Sequence, residues 1–149
     1  MTGTPEFVGS TAGPEGVEVD MLFVPVFEGE DALSDLPGLD AATGGEIGRA
    51  RAGGEYRSHL YECFITRAVS GPYKAARVAL VGTGRKADLT AERMRRVAAA
   101  CGYTARLRSI RSVGFIVRGG VDPLTAATPA SRDIMPSRNF MVGISLAER

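Results

Sequence analysis

Residues 77–90, RVALVGTGRKADLT, run from an apolar stretch into a glycine-rich turn. Within them, Gly82-Thr83-Gly84-Arg85-Lys86-Ala87 fits G-x-G-x-x-A, the pattern that lets a backbone approach a pyrophosphate at a helix N-terminus. Its surroundings argue against that chemistry. The best helix cap after the motif is Thr90, beyond the point where helix amides would face a phosphate. The next apolar segment, SVGFIVRGG, ends in Arg118, where an acidic residue should meet the ribose hydroxyls, and only a 2′-phosphate reading of Arg118 keeps a cofactor in play. No second mononucleotide-binding half follows. The glycines are therefore read as a turn that uses positive φ.

Other reactive groups are sparse. His59-x3-Cys63 puts two metal-ligating residues on one strand face, but the chain has 1 histidine, and zinc takes four protein ligands, or three and a water. Any nucleophile with a base and an orienting group would have to share that same histidine. Asp20, Glu28, Glu30, Asp31 and Asp35 gather near one strand end and loop, where they read as a solvated rim that binds a divalent ion weakly at most. No residue is assigned a catalytic, cofactor-binding or metal-binding role.

The elements that would hold these groups follow from pattern. VEVDMLFVPVFEG combines β-branched and aromatic residues in a nearly continuous apolar run, which predicts a central strand buried on both faces. Pro25 inside it calls for a bulge or for one unpaired side. LPGLDAATGGEIGRARAGG reads as a weak helix with Leu36, Leu39, Ile47 and Ala50 inward, loosened at Gly44-Gly45 and ended by Gly53-Gly54. Residues 55–69 alternate enough to read as a strand, with Leu60 and Glu62 on one face and His59, Tyr61 and Cys63 on the other. ARVALVG is a short buried strand, either a hairpin partner or a neighbour of the preceding one.

The strongest helix spans 90–108, because Met94, Val97, Ala98, Cys101 and Ala105 form one apolar stripe. Thr90 suits its N-cap, and Leu89 with Met94 has hydrophobic-staple spacing. SVGFIV is another buried strand, so a parallel crossover and a helix-covered sheet follow. EFV, near the start, is at most a short edge strand within a flexible lead-in over 1–16. The segment 121–149 begins like a helix at Asp122-Pro123, and Pro129 and Pro136 forbid one long regular helix.

At 149 residues, the chain is long enough to bury roughly two thirds of its unfolded surface without a staple. Hydrophobic content of 44% with 23% charged residues is that of a globular protein. The first twenty residues carry no Lys or Arg and no apolar run, and MLFVPVF is far short of the ~20 residues of a membrane helix. A cytoplasmic location with free thiols at Cys63 and Cys101 is expected. Residues 1–62 hold 12 acidic and 3 basic side chains against 5 and 15 in 63–149. The expectation is that these halves neutralise each other by packing; no aromatic residues interleave the arginines as a nucleic-acid stacking platform requires.

Taken in order, DMLFVPVFEGEDALSDLPGLDAATGG, GEYRSHLYECFITR, ARVALVGTGRKADLTAERMRRVAAA and SVGFIV resemble the N-terminal domain of leucyl (cytosol) aminopeptidases, with the domain assigned to 17–120 and 121–149 left as a helix or linker segment. The resemblance implies an α/β fold, a macro-domain-like three-layer α/β/α sandwich with a mixed, partly parallel sheet. It also implies a family of two-metal exopeptidases whose ligands and catalytic Lys and Arg lie in a separate C-terminal domain around an NTDAEGR-type motif. That motif does not occur here, so no family site is transferred to any residue. The expectation is a non-catalytic domain with no cofactor of its own, serving docking, oligomer organisation or substrate access. Its expected partner is a catalytic aminopeptidase domain or a second copy, without a membrane. The alternatives are a module binding ADP-ribose or another nucleotide, and a nucleic-acid-binding domain using the arginines of 93–118.

Overall fold

The computed structural model describes residues 6–10, 14–30, 33, 36–118 and 140–145. Its strands are β1 (Glu6–Ser10), β2 (Met21–Val26), β3 (Cys63–Arg67), β4 (Arg77–Gly82), β5 (Ser112–Val117) and β6 (Phe140–Ser145). Its helices are α1 (Leu39–Ala42), α2 (Glu46–Ala52) and α3 (Ala91–Leu107), with single 3-10 turns at Pro14–Gly16 and Lys86–Asp88. The strands form one sheet in the order β1-β6-β5-β2-β4-β3. β2 runs parallel to both neighbours, while β3 and β6 pair antiparallel with β4 and β5. The sheet is therefore mixed, with the parallel strands at its centre.

β2 lies at that centre because its residues are apolar on both faces, and every one of them is buried. Leu22, Val24 and Val26 point to one side with Val78, Leu80, Leu36, Leu39, Ile47 and Ala50, so α1 and α2 cover that face. Met21 and Phe23 point to the other with Ala79, Val113, Phe115, Met94, Val97, Cys101 and Ala105, so α3 covers the second. The result is an α/β fold with helices on both faces of a mixed sheet.

Pro25 is accommodated by an unpaired side. β2 pairs with β4 along its whole length but with β5 only over Met21–Phe23. The missing N–H of Pro25 thus faces a stretch where the β5 ladder has already ended.

α3 begins as its spacing requires. Thr90 Oγ1 accepts from the Arg93 N–H at 3.0 Å, and Leu89 packs with Met94 in the same core. Replacing Thr90 with alanine is expected to cost about 1 kcal/mol, read as a lower urea midpoint at unchanged slope. An unchanged midpoint would show that packing alone fixes the helix start.

The structure corrects several local expectations. The weak helix is two helices, because Gly44 and Gly45 adopt φ of 71° and 83° and the second serves as the N-cap of α2. The strand predicted over 55–69 is confined to Cys63–Arg67. Residues 55–62 instead fold as a loop over the end of β4, with Ser58 and Tyr61 at φ of 66° and 69°, and left-handed residues interrupt strand alternation. β3 and β4 form an antiparallel hairpin. EFV does lie in an edge strand, β1, paired with β6. Residues 140–145, placed by sequence in a helix or linker segment, form β6 between β1 and β5; the helix start at Asp122-Pro123 lies outside the described residues.

Candidate functional site

Ligands of open parallel sheets bind beyond the carboxyl ends of the strands, here the exits of β2, β4 and β5. At the β4 exit, the Gly82 N–H donates to Glu62 O at 2.7 Å, Thr83 N–H to Val26 O at 3.0 Å and Gly84 N–H to Ser58 O at 3.3 Å. The Thr83 side chain is fully buried and its hydroxyl donates to Val26 O at 3.1 Å. The amides that would line a pyrophosphate cradle are thus spent on neighbouring strands and on the 58–62 loop. Gly84 has φ +74°, the turn geometry the sequence called for, and Lys86–Asp88 intervenes before α3 starts.

The β2 and β5 exits are closed by an ion pair. Arg118 is 6% exposed; its Nη1 donates to Glu30 Oε1 at 3.0 Å and also to Pro25 O, and its Nη2 is paired with Glu30 Oε2. Glu30 Oε1 accepts in addition from the Phe27 N–H at 3.2 Å. The Phe27 ring centroid lies 5.9 Å from the Arg118 guanidinium carbon and 5.5 Å from Lys86 Nζ, so one aromatic ring serves two cations. Arg118 is turned into the protein, and the 2′-phosphate reading of it is set aside on that geometry.

The acidic cluster is also divided. Asp20 precedes β2 and engages Ser112, its N–H donating to Ser112 Oγ at 2.9 Å, whereas Glu28 and Glu30 follow the other end of that strand. Six residues at about 3.3 Å each separate the two ends. Glu30 belongs to the buried pair and not to a solvated rim. Asp31 and Asp35 lie outside the described residues.

His59 is exposed, and its N–H donates to Glu62 Oε1 at 3.1 Å. Among the described residues no three His, Cys, Asp or Glu side chains come together to hold a metal ion. Both cysteines are free thiols. Burial pushes the Cys101 thiol well up, and neighbouring atoms push Cys63 up as well, although that residue is exposed and Arg108 pulls the other way.

Outside every motif above, a cleft of about 500 Å³ lies beside α2, lined in part by Gly29, Glu30, Gly48, Arg51, Tyr56 and Arg57. Tyr56 is 2% exposed, and its hydroxyl is buried with no hydrogen-bond partner among the described residues. Burial pushes its phenol well above the ordinary value; the Ser58 side chain pulls it down without a hydrogen bond of normal geometry. The signal that could have found the cleft is RARAGGEYRS, where arginines flank a glycine pair and an aromatic residue.

The ion pairs assign the charge asymmetry only in part to packing between halves. Glu30 and Arg118 join the two, whereas Arg49 pairs with Glu46 and Glu55, and Glu92 with Arg95 and Arg96, each within one half. No helix among the described residues is long and apolar enough to cross a membrane.

The family model described as "Cytosol aminopeptidase family, N-terminal domain" matches residues 23–120, from β2 to just past β5. Relatives include a "Probable cytosol aminopeptidase" of Cupriavidus taiwanensis, 37% identical over 84 residues, and one of Cupriavidus necator, 36% identical over 84 residues. Each alignment covers 54% of this chain and 16% of the relative, so the chain corresponds to a small part of those proteins. The matched residues contain the central parallel strands, both helical layers and the inward-bonded GTG turn, and they make this chain a member of the cytosol aminopeptidase family through its N-terminal domain.

Proposed function

We propose that this chain acts as a non-catalytic docking module of a cytosol aminopeptidase, holding a catalytic domain or a second copy and shaping oligomer organisation or substrate access. The observation that carries the reading is the match over 23–120 to the family's N-terminal domain. The use of polar groups at the strand exits supports it, because the amides of Gly82, Thr83 and Gly84 and the Glu30–Arg118 pair are engaged within the domain. Apolar surface is available for docking: Tyr103 and Leu107 on α3 are 63% and 68% exposed, one helical turn apart. In this reading the metals and the peptide chemistry belong to the catalytic partner, the site of action is the cytoplasm, and the chain binds neither nucleotide nor nucleic acid as its main task.

Two measurements test it together. Purified chain with added zinc, manganese or cobalt is expected to leave a leucine anilide intact, and to co-elute on size exclusion with the catalytic part of a family relative. Metal-dependent turnover that disappears in the Asp31→Asn/Asp35→Asn double variant would overturn the non-catalytic reading. Separate elution of the two proteins at every concentration, with the chain monomeric, would overturn docking.

A further inference from the structure

β3 stands at one end of the strand order, and among the described residues no strand pairs with its outer side. The ladder to β4 fixes which of its backbone groups look outward. That ladder is bounded by the bond from Gly82 N–H to Glu62 O at 2.7 Å and the bond from Ala68 N–H to Ala76 O at 3.1 Å, and in an antiparallel pair every second residue bonds across. Phe64 and Thr66 therefore bond to β4, and the N–H and C=O groups of Cys63, Ile65 and Arg67 face away from it.

Little in the strand keeps a second strand off. Native sheet edges are blunted by proline, by charge or by a bulge, whereas β3 reads CFITR, with no proline and a single charge at its last position. Phe64 and Ile65 are half-buried and pack against opposite cores, so the strand is anchored on both faces while its outer side stays open. The apolar side chains of Tyr61 and Val69, 45% and 66% exposed, stand on either side of β3, each four residues from Ile65. An edge arranged symmetrically about one residue is complementary to itself, which is what an isologous interface requires.

We propose that β3 is a self-association edge, on which the outer sides of two copies pair antiparallel about a two-fold axis through Ile65 and join their sheets into one. In that register the outward-facing groups of Ile65 meet those of the second copy's Ile65, Cys63 lies opposite Arg67, Phe64 opposite Thr66, and Tyr61 approaches Val69 at both ends. The two Arg67 side chains stay about 13 Å apart along the strands, so like charges do not meet. This pairing rests on the docking reading above, for which it names the second copy and the surface.

The test is sedimentation equilibrium of the full chain, from micromolar to millimolar concentration, with the unaltered protein and two changes at the exposed Cys63. A concentration-dependent dimer is expected. Cys63→Lys puts a cation opposite Arg67, which already stands beside Arg77 of β4, and should weaken the dimer about tenfold; Cys63→Glu puts an anion there and should tighten it several-fold. In a Cys63→Ser background, Ile65→Cys should give a disulfide-linked dimer when its two thiols are oxidised by diamide, because bonded partners across the axis have Cα atoms about 5.5 Å apart. Thr66→Cys, which lies opposite Phe64 and not its own mate, should give none. A chain that stays monomeric, a dimer equally strong in Cys63→Lys and Cys63→Glu, or a dimer that Ile65→Cys does not link would overturn the inference. Co-elution with the catalytic part of a family relative, followed on the same variants, separates this from the docking reading: co-elution that persists in a monomeric chain leaves docking standing and overturns the pairing of copies. Co-elution lost in Cys63→Lys while the chain is monomeric would give the β3 edge to the catalytic domain, which also overturns it.

Discussion

Replacing Gly82 with alanine is expected to destabilise the protein by about 3 kcal/mol or more, the range in which overpacking cannot be relieved by side-chain movement. A Cβ there would overlap the His59 carbonyl oxygen and lie 2.6 Å from the Ser58 carbonyl carbon. Both obstacles are backbone. Relief would require the 58–62 loop to withdraw, at the expense of the 2.8 Å bond from Tyr61 N–H to Gly82 O and the 2.7 Å bond from Gly82 N–H to Glu62 O. The thermal midpoint should fall by on the order of 10 °C in a chain of this length. Gly102 supplies the contrast: it lies within α3 with open space where its Cβ would be, so Gly102→Ala should raise stability by about 0.5–1 kcal/mol. Paired urea denaturation of the two variants reads both signs. A loss below ~1 kcal/mol for Gly82→Ala would show that the loop is not seated on β4 as described.

The second large effect is expected at Glu30. Glu30→Ala leaves the Arg118 guanidinium buried beside Pro25 and Phe27 without its carboxylate, and removing one partner of a buried pair costs about 3–5 kcal/mol. Replacing both, as Glu30→Leu with Arg118→Met, should recover most of that loss, because two apolar side chains need no desolvation of charge. The double-mutant cycle measures the coupling directly. A Glu30→Ala cost under ~1 kcal/mol would mean that the pair behaves like an exposed one. A double variant as unstable as the single would mean that the residues matter for shape and not for charge.

Both positions were visible in the sequence as residue types, yet their roles were not. In the sequence Gly82 reads as the first glycine of a nucleotide motif, and Glu30 as one member of an acidic rim. What changes their meaning is the chain that arrives from elsewhere: the 58–62 loop over Gly82, and Arg118 from 88 residues downstream onto Glu30. The same holds for the cleft, whose lining joins Gly29 and Glu30 after β2 to residues 48–58 of α2 and the segment beyond it.

By itself the sequence determined the central strand, since Met21–Val26 is apolar at every position and can only be buried on both faces. It determined α3 with its Thr90 cap and its inward stripe of Met94, Val97, Cys101 and Ala105, because those signals repeat every three or four residues and need no partner to be read. It also carried the family resemblance, through the order of its segments. Tertiary structure alone decided that 55–62 is a loop, that 140–145 enters the sheet between β1 and β5, and that Arg118 closes the strand exits on Glu30. Each of these depends on a contact between residues far apart in the chain, where local periodicity is silent and only the packed arrangement of strands and helices selects the partner.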